Sequence, residues 1–477
     1  MKRSGQNSPI FSGSDKVTVS DNMPKRRFGT LRPMQGLTGE HALLLALVLF
    51  VGLLSIAPLA RLAYSALITK DGFDVARIVD VLGGRRVFEA TLNTIWLAVS
   101  ATVISTCLGT AAALLCNLTD MGKRSLWVFG FMLPLMIPPQ VIALAWVQAF
   151  SPASPLLGAF GWSLPAGTRH PLYSMGGIVL LLGLYNGPLV FLSVRASLQR
   201  LPASLVEAAH ANGAGHRSAT LDILLPLIRS GIFAGAALAF VSSIGNFGIQ
   251  AMLGIPGRVP TLITLIYRRL NSYGTSALND MALMALLLAV LTVIGMTLTA
   301  WLGRQGDQRV ETAQRPPRIA LGSWRLPITG VAWLYHLIFL LLPLSALLGT
   351  ALVRGYGQPV NFETITFQNF SNALFHHEGI REAFWTSLWV TLTTVAVLIP
   401  VAVALGYVLS WRRGWIARLL RMASEMAYAL PGIIIGVAMI LFFLRPLPFI
   451  GTGFYGTVWV ILAAYMSNFL ALALRPI

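Results

Sequence analysis

Ten stretches of roughly 20 mostly apolar residues run through this 477-residue chain, and nothing in it constrains the fold more. They cover about residues 42–62, 93–116, 127–150, 175–194, 231–253, 281–303, 327–352, 385–411, 422–444 and 454–474. A helix rising about 1.5 Å per residue crosses a hydrocarbon layer of about 30 Å in about 20 residues, with its backbone polar groups satisfied internally. The chain is 56% hydrophobic and only 11% charged, and its mean hydropathy is +0.72. A soluble core of this length needs a far more polar exterior. The expected class is an all-α polytopic membrane protein, with the lipid bilayer as its first partner.

Charge then sets the orientation. With the amino terminus inside, the tail, the breaks near 120, 195–229, 304–326 and 412–421, and Arg475 hold 23 Lys and Arg residues. The outer breaks near 70, 169, 260, 354–381 and 445 hold 11. Positive residues are retained on the cytoplasmic side, so a multi-pass membrane protein with a cytoplasmic amino terminus is expected. The same retention accounts for the net charge of +18 without a nucleic-acid partner. Residues 1–40 are polar and basic and read as a disordered tail rather than a signal peptide. Cys107 and Cys116 lie nine residues apart on one span, about 13 Å along a helix, too far for a disulfide.

The longest basic break carries Glu207, Ala208, Ala209, Gly213, Ile223, Leu225 and Pro226, in the spacing Glu-Ala-Ala-x3-Gly-x9-Ile-x-Leu-Pro. Two adjacent alanines favour a helix with little side-chain bulk. Gly213 permits a left-handed residue, so two short helices meeting at an angle are predicted. Pro226 is best tolerated near the start of the next helical segment. Glu207 is suited to capping the first helix or pairing with a basic partner residue.

This pattern resembles the cytoplasmic coupling loop of the permease subunits of bacterial ATP-binding cassette importers. The resemblance implies an importer permease fold and a transport subunit rather than an enzyme. It places the loop, residues 198–229, in a cleft of a cytoplasmic ABC ATPase dimer, with a periplasmic solute-binding protein on the other side. ATP and Mg belong to the ATPase, and no cofactor is expected on this chain.

The pattern also repeats internally. Glu89-Ala90-(x5)-Trp96 opens one span and Glu382-Ala383-(x5)-Trp389 another. Leu133–Ala145 and Leu430–Val437 are both Pro-containing apolar runs. Gly177-Ile178-Val179 with Tyr185 and Arg195 matches Thr457-Val458-Trp459 with Tyr465 and Arg475. Six spans separate equivalents, so the halves point the same way through the membrane. The organisation expected is a tail (1–40), a first permease half (41–303), a cytoplasmic linker (304–326) and a second half (327–477). The counterpart of Glu207 would fall near position 487, so the second half is expected to stop before its own coupling loop. As a fragment or truncated product, the chain is expected not to transport alone.

Polar residues inside the spans are candidates to line a pathway: Gln140, Asn186, Ser242, Ser243, Asn246 and Gln250. Interhelical hydrogen bonding is the blander role. Gln140 follows Pro138-Pro139, which loosens the helix and frees backbone carbonyls. Carboxylates are nearly absent from the spans, which disfavours an ion-coupled secondary transporter. The stretch Gly245–Gly257, followed by Leu262–Tyr267, resembles fused permeases of the ferric-iron uptake branch, with Gln250 where proline is expected. That resemblance makes ferric iron the expected cargo, with thiamine, polyamine and aminoethylphosphonate as alternatives within the family. Substrate choice there rests chiefly with the binding protein. His376-His377-Glu378 carries metal-capable side chains, but adjacent histidines in an outer loop are commonly solvated surface, so no metal site is expected. No His-Glu-x-x-His, Gly-x-Ser-x-Gly or Gly-x4-Gly-Lys-Ser/Thr motif occurs, so the chain offers no nucleotide site of its own.

Overall fold

The computed structural model describes residues 37–69, 72–154, 157–158, 160–161, 165, 167–201, 203–215, 218–272, 275–303, 319–355, 357–412, 414–446, 451 and 453–475. The basic tail to residue 36 and the linker residues 304–318 lie outside them. Among the described residues, six helices are long and apolar enough to cross a membrane: α1 (Gly39–Leu67), α2 (Arg85–Leu118), α5 (Met175–Leu198), α11 (Ala277–Gly303), α12 (Gly322–Leu352) and α13 (Glu378–Trp411). Four further pairs are apolar enough but bent. They are α3 (Arg124–Met136) with α4 (Pro139–Ala149), α7 (Thr220–Leu227) with α8 (Arg229–Gly245), α9 (Phe247–Gly257) with α10 (Leu262–Leu270), and α14 (Trp415–Ala429) with α15 (Gly432–Phe443). The shorter α6 (Ala203–Ala211) and α16 (Val458–Leu474) complete the framework.

Three of the ten expected spans are therefore not straight. The stretch 127–150 turns by 104° at Pro138, and 422–444 turns by 112° at Pro431. Proline lacks the N–H that would continue the ladder, and it holds the residue before it extended. The expected span 231–253 stops at Asn246, and the chain then runs through α9 and α10, which meet at 84°. The connection near 260, expected to be a plain loop, contains the nine-residue α10, closed by a capping box between Thr261 and Thr264.

Several elements recur along the chain. Helices α2 and α13 are both 34 residues long and start 293 residues apart, at Arg85 and Glu378. The breaks before Pro139 and Gly432 stand in the same relation. Each half also opens on a helix with one widened turn: Gly52–Ile56 before Pro58, and Leu337–Leu341 before Pro343. In both, the next N–H reaches back five residues, Ala57 to Gly52 and Leu342 to Leu337. The wider turn relieves the clash between a proline ring and the carbonyl four residues earlier, so neither helix kinks apart.

Reciprocal packing joins the halves. Ala57–Leu67 of α1 lies on α15 of the second half, and Leu342–Leu352 of α12 lies on α4 of the first. Leu62 and Ala66 share a core cluster with Ile434, Val437, Ala438 and Leu441. On the matching side, the Trp146 indole donates to the Phe339 carbonyl at 3.1 Å. Nearby, Trp127 donates to the Ala332 carbonyl at 2.8 Å, and His336 Nε2–H donates back to the Trp127 carbonyl at 2.8 Å. The His336 ring stacks on Trp127 with centroids 4.9 Å apart. These buried bonds fix the register of α12 against α3, where apolar packing alone would allow sliding.

Candidate coupling site

The Glu207 motif folds as two arms at one end of the bundle. Alanine-rich α6 forms the first arm, and Gly213 ends it with φ +86°. Asn212 N–H bonds the Ala208 carbonyl at 3.1 Å, and Ala214 N–H reaches the Ala209 carbonyl at 3.0 Å. A six-residue closure around a left-handed glycine is the Schellman ending, which satisfies carbonyls that the helix itself leaves free. The Asn212 side-chain amide adds a second donor to the Ala208 carbonyl at 2.8 Å. A Cβ at Gly213 would meet nothing within 4 Å, so backbone conformation, not space, demands glycine. The second arm is α7, where Ser218 Oγ–H donates to Asp222 Oδ2 at 2.7 Å. Pro226 sits in the first turn of Leu225–Leu227, and the chain bends 58° at Ile228 into α8.

One face of this hairpin is held and the other is free. Leu224 and Ile228 are buried with Leu198, Leu201, Leu118 and Met121 in a single cluster. Thr119 pairs with Ile319, and Asp120 Oδ1 accepts from Leu321 N–H at 2.9 Å, so the α2–α3 connection also grips the linker residues that lead into α12. Ala209 faces inward at 8% exposure. Glu207, Ala208, Gly213 and Pro226 are exposed, while Ile223 and Leu225 are half-buried. Glu207 lies at the fifth position of the nine-residue α6, too far along to cap it, and its carboxylate has no partner among the described residues. The side chain of His210, and the whole of His216, lie outside the described residues.

Beyond Ile228 the arms continue directly into the candidate polar residues. Asn186 on α5 is fully buried; its amide donates to Ser243 Oγ at 2.9 Å and accepts from Ser242 Oγ at 2.7 Å. The Asn246 carboxamide accepts from Ile249 N–H and starts α9. Gln250, also fully buried, donates from Nε2 to the Ser243 carbonyl at 2.9 Å, one of the carbonyls freed where α8 stops. Asn246 and Gln250 thus clasp the break from its two sides. The breaks themselves converge. A Cβ on Gly245 would lie 3.0 Å from the Pro431 ring, and one on Gly248 would lie 2.8 Å from the Gln140 nitrogen. Among the six, Gln140 is exposed, Ser242 is half-buried, and the rest are buried in bonds between and within helices.

At the opposite end, His376, His377 and Glu378 are exposed, and among the described residues no three His, Cys, Asp or Glu side chains cluster closely enough to hold a metal ion.

Residues 105–312, which contain both arms and the break, match the family model for binding-protein-dependent transport system inner membrane components. Over those residues the chain is similar to that family, and along most of its length it is similar to ABC transporter permeases, which are transport subunits rather than enzymes. It is 24% identical over 405 residues to the probable ABC transporter permease protein y4fN of Sinorhizobium fredii, covering 83% of this chain and 70% of that one. It is 22% identical over 440 residues to a ferric transport system permease protein of Actinobacillus pleuropneumoniae, covering 89% of this chain and 62% of that one. A molybdenum transport system permease protein of Escherichia coli is 30% identical over 139 residues, covering 29% of this chain and 60% of that one.

Proposed function

We propose that this permease is driven by a cytoplasmic ABC ATPase dimer that seats α6, and that it passes ferric iron delivered by a periplasmic binding protein. The observation that carries the coupling role is the hairpin itself. A capped helix with small exposed residues stands free at the bundle end, and its return arm leads into α8 through the 58° bend at Ile228. A push on the return arm would be carried along α8 toward the Asn246 break. The inner excess of Lys and Arg supports a cytoplasmic hairpin and a cytoplasmic amino terminus in the inner membrane.

The α8–α9 break, where α8 meets the breaks of both halves, is the place where a rocking motion would open or close a path. Gln140, the exposed candidate, would line it; Asn186, Ser242, Ser243, Asn246 and Gln250 would hold its walls in register. Ferric iron is favoured over molybdate because the ferric-type relative matches 89% of this chain and the molybdenum-type relative 29%. Calorimetry on the binding protein encoded beside this chain tests the cargo. Ferric iron is expected to bind, and selective binding of molybdate, a polyamine or thiamine would overturn the assignment.

A further inference from the structure

At the end of the bundle opposite the coupling hairpin, one carboxylate stands between two guanidinium groups and bonds to neither. Asp280, in the opening turn of α11, has Oδ1 3.8 Å from Arg77 Nη1 and Oδ2 3.9 Å from Arg269 Nη2. Both separations exceed the about 2.7–3.2 Å of a hydrogen bond from N–H to oxygen. Arg77 Nη2 donates to the Ala66 carbonyl in the last turn of α1, while its Nε and Nη1 are buried without an acceptor. A buried N–H left in that condition is strongly unfavourable, so the shared position completes neither pair. The two arginines are held differently. Arg77 lies in the short helix Val75–Gly83, where its N–H donates to the capping Asp74 carboxylate at 2.9 Å and Ile78, Val81 and Leu82 pack on the core. Arg269 lies in the last turn of α10, and its side chain is 50% exposed. Only the start of that helix is pinned to α2: Leu262 N–H donates to Thr94 Oγ1 and the Asn93 amide donates to the Pro260 carbonyl, both at 2.9 Å. Fixed at one end and half-exposed at the other, α10 is a lever whose far end Asp280 can hold or release.

We propose that Asp280 is a two-position latch: it closes on Arg77 in one conformation and on Arg269 in another, and so sets the angle of α10 against α11. One carboxylate oxygen faces each arginine. A movement of about 1 Å that brings Asp280 into hydrogen-bond range of one arginine therefore draws it away from the other. Closure on Arg77 satisfies the buried guanidinium and leaves the α10 end free; closure on Arg269 ties that end to α11. Two discrete pairings of one charge make a bistable element, the kind that turns a small displacement into a change of state. The inference rests on the proposed rocking at the α8–α9 break, because α9 runs into α10 and carries that motion to Arg269.

The test uses the full chain in lipid nanodiscs, with Cys107 and Cys116 replaced by Ala and a trifluoromethyl tag on Ser272→Cys, an exposed position just past α10, read by fluorine NMR. Two resonances are expected. Arg77→Gln is expected to change their ratio about threefold in one direction and Arg269→Gln about threefold in the other, the scale of a partly exposed ion pair. With Asp280→Asn in place, neither arginine substitution is expected to move the ratio. Arg269→Lys, which keeps the charge at a half-exposed site, is expected to restore it, so the comparison stands even if Asp280→Asn folds poorly. A static bridge would respond to the loss of either arginine in the same direction. That result, or a single resonance that neither substitution moves, would overturn the proposal. No ATPase is present in this reading. A latch that exchanges as described yet ignores the cognate ATPase loaded with a non-hydrolysable ATP analogue would instead overturn the coupling role.

Discussion

Gly213 shows how a single backbone angle decides whether the coupling hairpin exists. At φ +86° an L side chain is strained by about 1–2 kcal/mol even with open space around it. Asparagine tolerates that region better than alanine, and proline cannot enter it. Affinity for the cognate ATPase, measured by pull-down titration, is therefore expected to fall in the order Gly213, Gly213→Asn, Gly213→Ala, with Gly213→Pro lowest. Equal affinity across the series would show that the Schellman ending is irrelevant to the contact.

His170, in the connection between α4 and α5, supplies a pH prediction. Its Nε2–H donates to the Val147 carbonyl at 3.1 Å and its Nδ1 accepts from Leu172 N–H at 3.2 Å. The bond accepted at Nδ1 requires the neutral ring, and burial pushes its pKa below the usual value of 6.5, outweighing the Val147 carbonyl, which favours the protonated ring. As pH falls below about 6.5 the unfolded chain takes up this proton before the folded one, so the stabilisation present above that pH is lost. The thermal midpoint is expected to drop between pH 7.5 and 5, with a shallower slope in His170→Gln. Parallel slopes would remove His170 from the account.

At the scale of elements, α8 depends on its polar contact with α5. Asn186→Leu removes both bonds to Ser242 and Ser243, and membrane-embedded bonds of this kind contribute about 0.6–1.7 kcal/mol each at most. A fall of a few degrees in the detergent-solubilised midpoint is expected, and no change would place the α5–α8 register in apolar packing alone.

Much of this level was legible in advance. The apolar runs located the membrane-spanning segments, and Gly213 predicted the break between two short helices. The bends were less so, because hydropathy has the same profile along a straight helix and a broken one. Pro138 reads as loosening its helix, but both it and Pro431 fall within plain expected spans, where the structure bends. The Asn246 break had no proline; it rests on an N-cap and on Gln250 reaching back to carbonyls, contacts that no local pattern encodes. The nine-residue α10 escaped notice because two arginines end it and it is too short for a span. Burial of Asn186 and Gln250 depends on which helices meet, which is a property of the packing rather than of the residues.

For the whole molecule, the recurring elements are the two 34-residue helices α2 and α13 and the widened turns before Pro58 and Pro343. Reciprocal packing of each half's opening helix on the other half's broken span makes the two breaks neighbours of one another. Under the proposed coupling role, a force delivered through α6 and α8 would act where these breaks meet.

The most direct measurement is accessibility of a cysteine at Ala208, in a chain whose Cys107 and Cys116 are replaced by Ala. A membrane-impermeant maleimide applied to inside-out and right-side-out vesicles reads both the side and the contact. The account predicts labelling only from the cytoplasmic face, and protection when the cognate ATPase is bound. Labelling from the outer face, or labelling from the inner face that the ATPase leaves unchanged, would contradict it.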